Sequence, residues 1–116
     1  MKKTYRIKKN SEIDAIFNKK QSKSDSCFSV YWMNAENENH FRFAISIGRK
    51  FGNAVMRNKI KRQIRMIIHQ LHDEIQKKVL FVIVVKPKAN GMTYQEIKAL
   101  IQTLLIKSKI LENKNA

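Results

Sequence analysis

Residues 52–70, GNAVMRNKIKRQIRMIIHQ, read as the opening of a long helix whose charges run against its dipole. Ile60, Ile64, Ile67 and Ile68, continued by Leu71 and Ile75, recur at the helical period and mark a buried stripe. The spacing predicts one helix from about Asn53 to about Gln76. Aligned peptide dipoles make a helix start partly positive, so acids belong in its first turns and bases in its last. Here Arg57, Lys59, Lys61, Arg62 and Arg65 crowd the first half, and the acids Asp73 and Glu74 come only near the end. Repulsion between like charges at i and i+4, with the adverse dipole, costs the free protein on the order of 1–2 kcal/mol. Bound phosphates would reverse that sign, meeting both the side chains and the free N–H groups of the first turn.

Upstream of the helix, CFSVYWM and FRFAISIG alternate as strands do. Phe28, Val30 and Trp32 share one face, with Ser29, Tyr31 and Met33 on the other. Phe41, Phe43, Ile45 and Ile47 oppose Arg42, Ala44, Ser46 and Gly48. The polar NAENENH between them suits a hairpin. One sheet face is thus densely apolar, and the other is small-sided and polar with Tyr31 exposed on it. Further upstream, Ser11 is placed to cap a short helix with Glu12 and Asp14 in its first turn and Ile13, Ile16 and Phe17 as its apolar stripe. Residues 18–26 lack periodicity and read as a loop with room for a short strand. Downstream, VLFVIVV (79–85) is continuously apolar, so both of its faces should be covered. Pro87 and Asn90-Gly91 end it. Thr93-x-x-Glu96 is a capping box for a last helix with Tyr94, Ile97, Leu100, Ile101, Leu104 and Leu105 inward. The order α-β-β-α-β-α describes a single α+β domain over 1–116, one sheet with helices mainly on one side. Residues 1–9 form a basic, extended N-terminal segment, and 107–116 should fray.

The chain carries 24 Lys+Arg against nine Asp+Glu, a net charge of +15 over 116 residues. Such a balance points to a polyanionic partner, nucleic acid before membrane. From Asn39 to His72 there are eight bases and no acid. Solvated faces kept for solubility usually mix signs, and this one does not. A single cysteine, Cys27, excludes an internal disulfide and a Cys-based zinc site, and reads as a small buried apolar side chain. The N-terminus lacks the apolar run of a secretory signal, and Val79–Val85 is too short to span a bilayer, so the reading is cytoplasmic, without a membrane partner.

Gly48, Arg49, Lys50 and Gly52 precede the helix without completing a Walker motif, which favours a phosphate backbone over one bound nucleotide. The amide of Asn58 can bond a sugar hydroxyl, a phosphate oxygen or a base edge. Tyr31 and Phe17 could stack unpaired bases, Phe17 being equally suited to the core. No catalytic constellation is present. His69 and Asp73 could share a helix face but make a weak metal site. A general or ribosomal RNA-binding protein would share the charge without needing an aromatic cleft. A membrane-surface helix would need a wide apolar face that the isoleucine stripe spends on the sheet.

The block KFGNAVMRNKIKRQIR (50–65) resembles the signature of the bacterial ribonuclease P protein subunit, Gly-Asn-Ala-Val-x-Arg-Asn-Arg-x-Lys-Arg-x-x-Arg at the start of the long central helix. Ile7-Lys8-Lys9, the Phe28–Tyr31 strand and the element order agree with it. Lys59 departs from the family's usual arginine, keeping the charge and losing the bidentate fork. The resemblance implies a fold like the second domain of ribosomal protein S5, with a left-handed βαβ crossover through the basic helix. It implies an RNA-binding subunit of a ribonucleoprotein endonuclease that removes the 5′ leader from precursor tRNA. A catalytic RNA would hold the active site and the Mg2+ ions, and no further protein partner is required. By this resemblance Arg57, Asn58, Lys59, Lys61, Arg62 and Arg65 face the catalytic RNA. Phe17, Ser29 and Tyr31, with Arg49 and Lys50 at the rim, line a cleft for the single-stranded leader.

Overall fold

The continuously apolar strand over 79–85 occupies the middle of the sheet. The computed structural model of the protein describes residues 3–111. Its elements are helix α1 (Asn10–Asn18), strands β1 (Ser22–Ser24), β2 (Phe28–Asn34) and β3 (Arg42–Ile47), helix α2 (Ala54–Gln70), strand β4 (Val79–Val85) and helix α3 (Tyr94–Lys107). The sheet order is β1-β2-β4-β3. β4 runs antiparallel to β2 and parallel to β3, with Val30 opposite Ile83 and Ile45 also opposite Ile83.

This order corrects the hairpin expected between β2 and β3. Both strands alternate and can leave one side wet, whereas all of β4 except Val84 is buried. Only a central place covers a strand on both faces and both edges. A parallel partner requires a long crossover, and α2 supplies it between β3 and β4. The short strand left open within 18–26 exists as β1, paired with β2 from Ser22–Tyr31 to Ser24–Ser29.

α2 and α3 cover one face. Their inward residues Ile60, Ile64, Ile67, Ile68, Ile97, Ile101, Leu104 and Leu105 meet Phe28, Val30, Phe41, Phe43, Phe81 and Ile83 in the main core. Phe43 stacks on Phe81 with centroids 5.6 Å apart. α1 covers part of the opposite face, where Ile16 and Ile7 pack on Leu80 and Val82. That face is therefore not small-sided and polar throughout, as the β2 and β3 patterns suggest. One end is a second, smaller core.

Three boundaries differ from expectation. Ser11 lies inside α1, whose N-cap is Lys9, with no side-chain cap bond. α2 stops at Gln70, and a 3-10 turn (His72–Glu74) carries the chain on to Ile75, which bridges Leu111. Leu71 and Ile75 are still buried as the stripe requires, but by a turn rather than by helix. This removes the helix face that His69 and Asp73 were expected to share. Residues 107–111 do not fray: Ile110 and Leu111 are buried, and the Ile110 carbonyl accepts from the Gln76 amide at 2.8 Å. The rest of the expected frayed tail, 112–116, lies outside the described residues. The capping box at Thr93 and Glu96 forms as read, with both reciprocal bonds present.

The N-terminal segment is extended through Arg6 and Ile7 after a 3-10 turn at Lys3–Tyr5. It adds to the outer edge of β3, the Ile7 amide donating to the Phe43 carbonyl at 2.9 Å. Ile7 is buried there, which ties a basic segment to the sheet edge beside α2.

Candidate nucleic-acid interface

α2 begins at a sharp entry. Gly52 adopts φ +157°, ψ −168°, a region open essentially to glycine, and a Cβ there would come within 3.0 Å of Met56 Sδ. The Asn53 side chain then caps the helix by accepting from the Met56 amide at 3.0 Å. By helix geometry the amides before Met56 have no intrahelical acceptor, and no acid lies in the first turn. Val55 stands 77% exposed on that turn, an apolar side chain left uncovered amid the bases.

The bases divide around the isoleucine stripe. Arg57, Lys61 and Arg65 recur every four residues and are half-buried along the flank that faces β3. Lys61 and Arg65 line a cavity of about 200 Å³ with Arg6, Ile7, Ala44 and Ile45. Asn58 and Arg62 stand exposed on the crest of the helix. Lys59 lies on the other flank, against Asn90 and Gly91 before α3, and is separated from the row it was grouped with. Burial, and then the charge of Arg6, pull the Arg65 guanidinium below its ordinary pKa. The Nε groups of Arg6 and Arg57 are shielded from solvent and have no acceptor among the described residues. Unpaired buried donors are uncommon in folded proteins, where nearly all such groups find an acceptor.

Arg42 behaves differently, although it belongs to the same acid-free stretch. Its guanidinium bonds both Glu12 on α1 and Glu38, the latter at 2.7 Å. Its hydrogen bonds to the two carboxylates, Glu12 first, raise its pKa, and the Arg42 hydrogen bond holds the Glu12 carboxyl below its usual range. This network clamps α1 to β3 and takes Arg42 out of the unneutralised surface.

On the α1 side of the sheet, Tyr31 and Phe17 meet edge to face with centroids 4.8 Å apart, both half-buried. Past this pair α1 ends, and the register places Ser29 beside Val84 and Val84 beside Ser46 as a shallow floor. Ser29 is only 5% exposed, and its hydroxyl shares a 2.8 Å hydrogen bond with Ser24. Its hydroxyl is thus engaged within the sheet, and Ser29 forms part of this floor. Arg49 and Lys50 are exposed on the 3-10 turn just after β3, at the same end.

Three further cations of the molecule are not singled out by the sequence. Lys86 continues the Leu80, Val82, Val84 alternation onto this face, and its Nζ donates to the Asp25 carbonyl at 2.6 Å. Lys20 follows α1 with φ +57°. Arg6 reaches α2 only because the N-terminal segment joins β3. Lys86 was legible from the strand period, but the placement of Arg6 and Lys20 depends on tertiary docking. Cys27 is buried, as its bland reading required.

A family model described as ribonuclease P matches residues 1–109. The ribonuclease P protein component of Acholeplasma laidlawii is 46% identical over 112 residues, covering 97% of this chain and 96% of that one. The Enterococcus faecalis protein of the same description is 42% identical over 97% and 95%. The solved RNase P protein of Staphylococcus aureus superposes with a TM-score of 0.87 at 35% identity, covering 93% of this chain and 98% of that one. The Thermotoga maritima RNase P protein gives 0.76 at 25% identity, over 85% and 94%.

Proposed function

The chain belongs to the ribonuclease P protein family, and from that premise we propose that it is the RNA-binding subunit that helps a catalytic RNA remove the 5′ leader from precursor tRNA. The observation that carries the reading is the row Arg57, Lys61, Arg65, joined by Arg6, with no carboxylate bound to any of the four among the described residues. Asn58, Arg62 and Lys59 extend this surface over the crest and onto the far flank. It faces the catalytic RNA, where phosphates supply the acceptors that Arg6 and Arg57 lack. Half-buried guanidinium groups are held in place before binding, so little side-chain entropy is lost on contact.

The second surface receives the leader. Phe17 and Tyr31 offer aromatic edges and faces to unpaired bases, the Ser29–Val84–Ser46 floor lets the backbone approach closely, and Arg49, Lys50, Lys20 and Lys86 supply counter-charge at the rim. Such contacts are tolerant of sequence, as leaders of variable sequence require. The chemistry is phosphodiester hydrolysis assisted by Mg2+ held on RNA and substrate phosphates. Among the described residues no group of three or more His, Cys, Asp or Glu is placed to hold a metal ion, so the chain is assigned no step through one. Its part is to bind, orient and neutralise, lowering the repulsion between two polyanions that must touch.

The test is cleavage of precursor tRNA by the catalytic RNA at low magnesium, with and without the protein. The protein should restore cleavage, and restoration should grow with leader length up to the span of the cleft. Restoration indifferent to the leader would favour a general RNA-binding role and refute the cleft.

A further inference from the structure

A trough of about 980 Å³ lies at the opposite end of the molecule from the cleft floor. Its walls are the core-side face of β1 and β2, the segment entering β4 and the end of α3. Trp32 is half-buried in it, and Lys23, Lys77, Lys78, Lys107 and Lys109 converge on it from separate elements. We propose that this trough is an additional binding site for single-stranded RNA, with the Trp32 indole stacking an unpaired base and the five lysines holding the flanking phosphates.

Charge is the first argument. The acids in the lining, Glu36 and Asp73, are outnumbered. Among the described residues only Lys78 has a carboxylate within reach, Glu36 at 3.6 Å. Lys23, Lys77, Lys107 and Lys109 are exposed and unneutralised within the same limits. The second argument is the indole. A half-covered aromatic ring ringed by ammonium groups matches the stacking platforms that bind single strands, and duplex bases are not available to it. Lysines act as point charges without a fixed fork, which suits a backbone followed loosely rather than a base edge read specifically.

The third argument is Lys109 itself. It occupies the residue after the α3 cap with φ +61°, in a Schellman turn whose bonds run from Lys109 to Ile106 and from Ile110 to Leu105, each 3.0 Å. Glycine is the residue that fits this conformation without steric penalty. The lysine keeps an ammonium at the mouth of the trough against that preference.

This site is distinct from both surfaces above. Trp32 and Lys23 lie on the opposite sheet face from Tyr31, and the trough adjoins the Val79 end of β4, about 20 Å from the Lys86 end. It stands independently of the leader assignment.

Trp32 is the only tryptophan in the chain, so its fluorescence reports this trough alone. The full-length protein would be titrated with a short oligouridylate at 50 and 200 mM salt. Saturable quenching is expected, with its affinity retained in Tyr31→Ala and weakened in Lys107→Gln/Lys109→Gln. Removing two phosphate contacts should shrink the salt-induced fall in affinity by about sevenfold. Affinity and salt dependence unchanged by the double substitution, or quenching that disappears in Tyr31→Ala, would overturn the site. So would an absence of quenching, or equal quenching by inorganic polyphosphate, which has no base to stack.

Discussion

Lys61→Gln should move folding stability and RNA affinity in opposite directions. Lys61 stands one turn from both Arg57 and Arg65, so its charge enters two i,i+4 repulsions on the same half-buried flank. Each is worth roughly 0.2–0.5 kcal/mol, and removing both should stabilise the free protein by about 0.4–1 kcal/mol. Gln keeps part of the aliphatic stem against Ile45 and Ala44, so little packing is lost. For a domain of this size the gain is a rise in Tm of about 2–5 °C at low salt, fading as salt screens the row. In the holoenzyme the same change deletes one phosphate contact. The slope of log affinity for the catalytic RNA against log salt should become shallower by about 0.7–0.9. Differential scanning fluorimetry of the free protein and filter binding at several KCl concentrations measure the two arms. A destabilised variant, or one whose slope is unchanged, would refute the claim that the row is strained until RNA neutralises it.

Tyr31→Ala removes an aromatic pair worth about 0.5–1.5 kcal/mol. It should weaken binding of precursor tRNA more than mature tRNA in competition assays, and equal weakening of both would remove Tyr31 from the cleft. Glu12→Gln breaks the Arg42 clamp, with an expected loss of about 1 kcal/mol at neutral pH. Arg42 depresses the folded pKa of Glu12 below its ordinary 4.5. The Glu12 contribution is therefore complete above that range and lost as pH falls through the depressed value. Urea unfolding should show the wild type and variant converging in acid, and a gap that persists below that pH would exclude the carboxylate as its source. Gly52→Ala forces a Cβ toward Met56 in a backbone region that side chains avoid, and should cost about 1–3 kcal/mol by urea melts. A neutral result would mean the entry to α2 relaxes freely.

The parts of the fold readable from residues were those with one period and one partner type. The isoleucine stripe of α2, the bounds of β4 and the Thr93 capping box all appear as expected, since local geometry alone dictates them. The strand order was not readable. Nothing in NAENENH records that β4 will pass between β2 and β3, because the signal lies in the apolarity of a strand about 40 residues later. The end of α2 was misread for a related reason: Leu71 and Ile75 keep a helical spacing, yet a turn serves their burial equally well. In the candidate interface, the basic row was visible as an acid-free run. The neutralisation of Arg42 was not, since Glu12 sits 30 residues away. Nor was the burial of Ser29, which depends on the three-residue β1.

The central place of β4 also governs how the molecule comes into being during translation. Its two neighbours, β2 and β3, are made first and do not pair with each other. Until Val85 has left the ribosome they lack their common partner, so the N-terminal half has only the short β1–β2 pair in place of a sheet. A nascent chain stalled before Val79 would expose Phe28, Phe41 and Phe43 to solvent, held apart from its neighbours mainly by its own positive charge.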